Sequence, residues 1–259
     1  MEVHLPHQRR FCKALIFAPA GHGKTFLLGT AQEDDRTFPM AFLDFEAGYE
    51  TLAGLDIDIF PIRSWRDADQ IYEALRDGSV KRVGDEEIDF SEYKSVGIDS
   101  ISEWHRWALL NILDEQGAHR KNPDLIEQGD YGVAAVQMRR TLRKYRDLPM
   151  HVFYAAHAKQ TDMPREGRIT LPDMSGQLAE EVAGLVSVSG YLAISTDSDG
   201  EEEHVLLLRN YPKYRIKARS PWGETLPDEI IEPTVGELLD VLGYTENGGK
   251  ARKKKKGRT

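Results

Sequence analysis

Hydrophobic and polar positions follow two patterns along this chain, short apolar runs and stretches with helical spacing. The apolar runs predict strands at 13–17, 39–45, 57–60, 93–99, 151–156, 205–208 and 214–217. The helical spacing predicts helices at 25–30, 65–75, 101–113 and 132–146. A charged, glycine-marked stretch at 78–90 predicts a loop or an insertion. Because strands and helices alternate, we expect an α/β fold with a mostly parallel sheet covered by helices on both faces.

Residues 18–25 read Ala-Pro-Ala-Gly-His-Gly-Lys-Thr and join the first predicted strand to the first predicted helix. This layout is typical of a phosphate-binding loop, in which backbone N–H groups and a helix N-terminus hold phosphate. We expect Lys24 to reach the β- and γ-phosphates and Thr25 to bind Mg²⁺. A strand–turn–helix junction without a ligand is the alternative, and Ala18, where the usual pattern has Gly, fits only with a negative φ. The predicted nucleotide-binding residues are Pro19, Ala20, Gly21, His22, Gly23, Lys24, Thr25 and Phe26.

Polar residues follow three of the predicted strands, at the end of a sheet where ligands of open α/β folds bind. Asp99 is predicted to hold Mg²⁺ through water opposite Thr25, while capping of the next helix by Asp99 or Ser100 is an alternative that is compatible with it. Glu46 is predicted to orient or deprotonate the attacking water, and the alternative is a solvated strand end. His157 is predicted to sense the γ-phosphate, and the alternative is a partly buried, hydrogen-bonded histidine.

Two groups of cations are further candidates for contacts with phosphate. Lys217 and Arg219 lie two residues apart in an extended segment, and we expect them to stabilise transition-state charge at a neighbouring subunit's nucleotide; the alternative is a solvated strand edge. The polar stretch 159–168 predicts a mobile surface loop. Its Lys159, Arg165 and Arg168 are candidates for binding DNA, or are ordinary solvated side chains.

Composition and charge separate an acidic body from a basic end. The chain has 259 residues and a net charge of −9, but seven positive and no negative side chains lie in its last ten residues, which leaves −16 on the remainder. We expect one domain over 1–245 and a flexible tail over 246–259. The tail is predicted to bind nucleic acid or an acidic partner, or only to add solubility, through a lysine run formed by Lys253, Lys254, Lys255 and Lys256.

Cysteine content and hydropathy bear on the compartment. The only cysteine is Cys12, so an internal disulfide is excluded and a reducing compartment is the default expectation. Neither an apolar run of membrane-spanning length nor a signal-peptide pattern is evident, so we expect a cytoplasmic protein with no membrane partner.

The chain resembles RecA-like P-loop ATPases, and more closely the phage-encoded AAA/RecA-type ATPases of the Sak group, which are linked to recombination and single-strand annealing. The resemblance rests on 18–25, 43–48, 96–100, 129–132, 155–157, 171–174 and 217–219. It implies a RecA-like fold, ATP and Mg²⁺ as cofactors, a homo-oligomer, binding to single-stranded DNA and, for a phage-encoded protein, the host cytoplasm. It also implies roles for Glu46 as catalytic glutamate, Asp99 as metal acid, His157 as sensor, and Lys217 with Arg219 at a subunit interface.

Three functions compete at this stage. The first is an ATP-driven factor for DNA recombination or annealing, which needs local positive patches on an acidic body. The second is a nucleotide-dependent switch or loader that acts through a protein partner, for example a single-strand-binding protein or another acidic protein bound by the tail. The third is a small-substrate kinase, which ranks last because no lid or acceptor-binding set is evident. The segment 129–132 has no derived chemistry, and we expect Asp130 to cap the following helix.

Overall fold

A computed structural model describes residues 11–83, 85–116, 122, 124–219 and 225–244. The strands are β1 Lys13–Ala18, β2 Met40–Asp44, β3 Asp58–Pro61, β4 Val80–Val83, β5 Glu86–Asp89, β6 Ser95–Asp99, β7 His151–Met163, β8 Gly167–Pro172, β9 Val188–Thr196, β10 Glu202–Leu207, β11 Lys217–Ala218 and β12 Glu229–Ile231. The helices are α1 Lys24–Gly29, α2 Trp65–Asp77, α3 Ile101–Gln116, α4 Gln128–Arg146, α5 Leu178–Leu185 and α6 Val235–Val241. Two short 3-10 helices lie at Thr30–Glu33, after α1, and at Tyr49–Leu52, after β2.

The central sheet has the order β12-β10-β9-β1-β7-β6-β2-β3. The six strands from β9 to β3 are parallel to their neighbours, and β10 and β12 complete one edge in antiparallel pairing. This arrangement confirms the predicted α/β class with a mostly parallel sheet. Since β1 lies in the middle, the phosphate loop that follows it opens onto the centre of the carboxyl edge.

Apolar side chains cover both faces of the sheet, as expected for a parallel sheet. Leu15 and Phe17 of β1 belong to one buried cluster, whereas Ala14 and Ile16 belong to the other. Successive residues of a strand point to opposite faces, so β1 is buried on both sides and holds the phosphate loop rigidly. Among the described residues, no helix is both long and apolar enough to cross a membrane.

The structure shows how the N-termini of α3 and α4 are capped. Ser100 precedes α3, and its Oγ accepts a hydrogen bond from the backbone N–H of Glu103 at 3.3 Å, so Ser100 performs the capping. Asp130 lies in the first turn of α4 and accepts from the backbone N–H of Glu127 at 2.7 Å. Asp130 therefore takes part in capping this helix, but as the N3 residue of a capping box whose N-cap is Glu127, because α4 begins four residues earlier than its apolar spacing indicated.

Several predicted boundaries are wrong. The strand predicted to end before His157 continues to Met163, and the predicted mobile loop 159–168 is a hairpin formed by β7 and β8. Residues 78–90 contain a second hairpin, β4–β5, with mostly exposed side chains. The β4–β5 hairpin lies outside the core and carries no hydrophobic alternation, whereas β8 buries Ile169 and Leu171 in the core although the polar residues around them suggested a loop. The strand predicted at 214–217 shrinks to β11.

Candidate functional site

The phosphate loop has the backbone geometry that its glycines indicate. Gly21 and Gly23 both have positive φ, at 77° and 80°, in the left-handed region that disfavours side chains. Ala18 is the buried last residue of β1 and stays in strand conformation. The condition under which alanine could replace the usual first glycine is therefore met, and the turn proceeds into α1 at Lys24.

Lys24 is buried beneath the loop with its ammonium on loop carbonyls. Its Nζ lies 3.0 Å from the carbonyl oxygen of Pro19 and 3.3 Å from that of Ala18. Burial lowers the pKa of Lys24, while the nearby charges of Asp99 and Glu46 oppose that effect. An ammonium between the cradle and two carboxylates is positioned to bind the β- and γ-phosphates.

The remaining loop residues surround the cradle. Ala20 and Gly21 are exposed at the crest of the turn, and Nδ1 of His22 is buried without a hydrogen-bond partner among the described residues. Phe26 is 55% exposed in the first turn of α1. Exposed apolar and backbone groups beside a phosphate cradle are available to a nucleotide.

Asp99 and Thr25 meet across the loop. Thr25 Oγ1 donates to Asp99 Oδ2 at 2.5 Å, and Asp99 Oδ1 is buried with no partner in the described structure. Burial raises the pKa of Asp99 to about 6. An orphaned carboxylate oxygen beside a threonine hydroxyl fits Mg²⁺, which keeps several waters and takes one or two protein oxygens with substrate phosphates. Thr25 and Asp99 would hold the ion.

Asp44 is a buried acid of this site to which sequence reasoning assigned no role. It pairs with Asp99 in the β2–β6 register, and its Oδ1 accepts from the backbone N–H of Glu46 at 3.0 Å and of Gly48 at 3.3 Å. Its Oδ2 has no partner within the described ranges. Asp44 therefore shapes the turn that carries Glu46 and places a second carboxylate beside Asp99. The spacing of Asp44 and Glu46, two residues apart at a strand end, is the sequence signal that could have identified it.

Glu46 and His157 are hydrogen-bonded to each other at the same edge of the sheet. Nε2 of His157 lies 2.8 Å from Oε1 of Glu46, and Ser100 Oγ donates to the same oxygen. Burial alone would raise the pKa of Glu46, but the hydrogen bonds from His157 and Ser100 outweigh it and hold the pKa below its usual value. Glu46 is therefore ionised near neutral pH, with Oε2 left to accept a proton.

Lys217 and Arg219, the cations predicted to act at a subunit interface, differ in their surroundings. Lys217 Nζ donates to the carbonyl oxygens of Ala183 at 2.8 Å and Val186 at 3.0 Å, at the C-terminal end of α5. That contact stabilises the helix end and engages the Lys217 ammonium within its own chain. Arg219 is exposed on the segment that follows.

The hairpin cations predicted to bind DNA are mostly engaged within the chain. Lys159 Nζ donates to the carbonyl of Met174 and lies 3.4 Å from Asp173 Oδ1. Arg168 lies 3.5 Å from Asp162 across the hairpin. Arg165, in the turn, is exposed and has no ion-pair partner among the described residues. The tail lysines 253–256 lie outside the described residues.

The sheet order, the phosphate loop and the acids beside it define a P-loop ATPase of the RecA-like, AAA type. A family model described as an AAA domain, AAA_24, matches residues 10–220, and the chain belongs to this family. Membership of this family supports the predicted activity, which is the hydrolysis of ATP.

Comparison with other proteins gives low identities. No curated protein matches the chain. Among solved structures, it is similar to the flagellar accessory protein FlaH from Methanocaldococcus jannaschii (11% identity, 87% of each chain, TM-score 0.43). It is also similar to the RadB recombinase (14% identity, 86% of each chain, TM-score 0.43). An ATPase from the type III secretion system of pathogenic bacteria matches at 16% identity, over 70% of this chain and 51% of that one, with a TM-score of 0.43.

Proposed function

We propose that this protein is a Mg²⁺-dependent ATPase that acts on single-stranded DNA in phage recombination or annealing. The observation that carries the catalytic part is the Glu46–His157 pair beside Lys24 and Asp99. A water oxygen attacks the γ-phosphorus while Glu46 Oε2 takes the water's proton. The bond from the γ-phosphorus to the bridging oxygen breaks, and ADP leaves.

The chain's cation and metal residues neutralise the charge that develops in this step. Lys24 binds the oxygens of the transferred phosphoryl group, where a cation stabilises the transition state. Mg²⁺ held by Thr25 and Asp99 would supply Lewis-acid stabilisation of the same phosphates. Arg219 of an adjacent copy is the candidate for the remaining charge in a homo-oligomer.

The path from the γ-phosphate to a surface runs through β7. His157 contacts Glu46 with its side chain, and its carbonyl accepts from the backbone N–H of Asp173 at 2.6 Å. Asp173 in turn contacts Lys159 and Arg106, at 3.4 and 3.2 Å. A shift of His157 on hydrolysis would therefore reach the β7–β8 hairpin directly.

Binding to DNA is supported by sequence resemblance and by the distribution of positive charge. Arg140 and Arg143 of α4 are exposed and have no ion-pair partner in the described part of the chain, and Arg165 occupies the hairpin turn. We further propose that residues 1–245 form the ATPase unit and that 246–259, with their lysine run, form a separate basic arm. The cations of the ATPase unit and those of the basic arm would bind the phosphates of the DNA backbone without reading the base sequence.

A specific observation favours the second candidate, a switch or loader acting through a protein. Lys159 and Arg168 are already paired with carboxylates, and Arg215 pairs with Glu166 at 3.1 Å beside them. Neutralised cations contribute little to binding a polyanion. In this alternative the basic tail docks on an acidic protein, and contact with DNA is indirect.

Salt-dependent binding to single-stranded DNA separates the two candidates. The affinity of the full chain for an oligonucleotide is measured between 50 and 200 mM salt, beside a chain lacking 250–259 and an Arg140→Ala, Arg143→Ala double variant. DNA binding predicts that each change lowers affinity and flattens the salt slope, by about 0.7 for each phosphate that is no longer neutralised. A matched Arg76→Ala variant, whose arginine already pairs with Asp77, should bind like wild type. Binding that is absent in every chain would favour the partner-loading candidate.

A further inference from the structure

A histidine that the catalytic proposal does not use lies against the phosphate loop. His204 is on β10, and a Cβ built on Gly23 would lie only 3.0 Å from its Nε2. The His204 side chain is 41% exposed, so the ring is open to a ligand. We propose that the His204 ring forms one wall of the subsite that holds the nucleoside of ATP. This inference rests on the proposed ATP site.

Strand order gives the direction in which the nucleoside leaves the cradle. Glu46, Asp99 and His157 belong to β2, β6, β7 and the turns after them, all on one side of β1. The bond that breaks is at the γ-phosphate, so these groups mark the γ end of the triphosphate. The α-phosphate and the nucleoside therefore extend toward the other side of β1, where β9 and β10 lie. His204 is the side chain from β10 that reaches the loop on that side.

Glu232 fixes the position of His204 through the backbone. The His204 N–H donates to Glu232 Oε1 at 2.6 Å, and the His204 carbonyl accepts from the Glu232 N–H at 2.7 Å. Nδ1 of His204 lies 3.9 Å from the same carboxylate oxygen. The His204 backbone is thus held on the side of β10 that faces β12, while Nε2 lies beside Gly23. A backbone held in this way keeps the Cβ of His204 in place beside the loop when a ligand binds.

The imidazole ring has the chemistry that a nucleoside needs. Nucleobases stack on flat aromatic faces, including those of histidine, and a ring nitrogen can bond to a ribose hydroxyl. Gly23 allows the ring to approach the loop this closely, because a Cβ at that position would lie 3.0 Å from Nε2 and would crowd the ring. Inorganic triphosphate fills the phosphate cradle but has no nucleoside, so it makes no contact with His204.

The test compares two ligands on one protein. Dissociation constants for ATP and for inorganic triphosphate, each with Mg²⁺, are measured for wild type, His204→Ala and Glu203→Ala. Glu203 is the neighbouring residue on β10, and its side chain points to the opposite face of the strand. We expect His204→Ala to weaken ATP binding about tenfold, as for loss of one stacked base, and to leave triphosphate binding unchanged. Glu203→Ala should leave both constants unchanged.

The outcomes separate this inference from the proposed function. An equal loss for both ligands in His204→Ala would mean that the ring only supports the cradle, and no loss for either would mean that it does not contact the nucleotide; each result overturns the inference. A wild type that binds neither ligand would overturn the ATP site itself. If His204→Ala fails to fold, His204→Gln keeps the backbone pairing and a polar side chain, and the same selective loss of ATP affinity is expected.

Discussion

Nε2 of His157 lies 2.8 Å from Oε1 of Glu46, so the acid at the end of β2 and the histidine within β7 act as one unit. An ionised carboxylate only accepts hydrogen bonds, so His157 donates and keeps Glu46 charged and oriented. The two residues are 111 positions apart in the sequence, and only the parallel sheet brings them together. In the proposed mechanism this pair would connect the chemistry at the γ-phosphate to the β7–β8 hairpin.

Replacing the proposed general base should stop turnover without removing the nucleotide. Glu46→Gln keeps the size of the side chain but cannot hold the water's proton. We expect turnover to fall at least about 100-fold and ATP affinity to stay within about twofold. Steady-state ATP hydrolysis and direct binding check this, with exposed Glu50→Gln in the same segment as the control. Turnover close to wild type in Glu46→Gln would assign the base elsewhere.

The pH dependence of turnover should report the hydrogen bonds on Glu46. Because His157 and Ser100 lower its pKa, removing either donor raises that pKa and protonates the base at higher pH. We expect the acid limb of the kcat profile to move upward in pH for both His157→Ala and Ser100→Ala. Limbs that coincide with the wild-type limb in both variants would show that Glu46 does not titrate in the rate-limiting step.

Lys217 and Arg219 should have separable effects. Lys217→Ala removes the ammonium from the end of α5 and is expected to lower stability by about 1 kcal/mol, measured by denaturant unfolding. Arg219→Ala is instead expected to lower turnover.

A mixing experiment tests whether Arg219 acts on a neighbouring subunit. Arg219→Ala and Lys24→Ala chains are each expected to hydrolyse ATP poorly. Mixed oligomers contain interfaces where an intact Lys24 faces an intact Arg219, so mixing should restore activity. No recovery in mixtures that do co-assemble would contradict a role in trans.

Stability should fall on acidification because His151 is buried in its neutral form. Burial, with the charges of Lys13 and Arg36, lowers the pKa of His151 to about 4, whereas its ordinary value is 6.5. Between these values the unfolded chain binds the extra proton, so stability present above pH 6.5 is lost as the pH falls toward 4. We expect about 3 kcal/mol of this loss to disappear in His151→Phe.

A packing variant at the same place is the control for that experiment. Phe11 contacts the His151 ring edge-on, with ring centroids 5.6 Å apart. Phe11→Leu should lower stability at every pH and leave the slope against pH intact. Equal slopes for wild type and His151→Phe would show that this histidine does not control the acid transition.

Sequence reasoning predicts the parallel core well because its strands are buried on both faces. β1, β2 and β6 read as continuous apolar runs that end at the phosphate loop, Asp44 and Asp99. Strand β9 was missed because Ser189 and Gly190 interrupt its apolar run, and Gly190 is there because Leu206 leaves no room for a side chain. The strand is identified by its pairing with β1, which is not a local signal.

The sequence indicates which residues belong to the site, but it does not indicate which partners their side chains contact. The phosphate loop could be predicted from sequence because each residue type has a known task at its position. Gly21 and Gly23 allow the turn, Lys24 is expected to bind phosphate and Thr25 to bind Mg²⁺. The partners of Lys159 and Lys217 depend on where the loop after β8 and the end of α5 fold back, and nothing near them in sequence indicates it. His204 likewise becomes a candidate only once β10 is placed two strands from β1.

The most direct test of the account is ATP hydrolysis by wild type and Lys24→Ala, measured in parallel with and without single-stranded DNA. The account predicts Mg²⁺-dependent turnover by wild type that DNA stimulates, and loss of nearly all turnover in Lys24→Ala with its fold intact by circular dichroism. Turnover that depends on Lys24 but is indifferent to DNA would contradict the recombination role and favour the partner-loading one. Equal turnover by the two proteins would contradict the central claim that this loop is the catalytic ATP site.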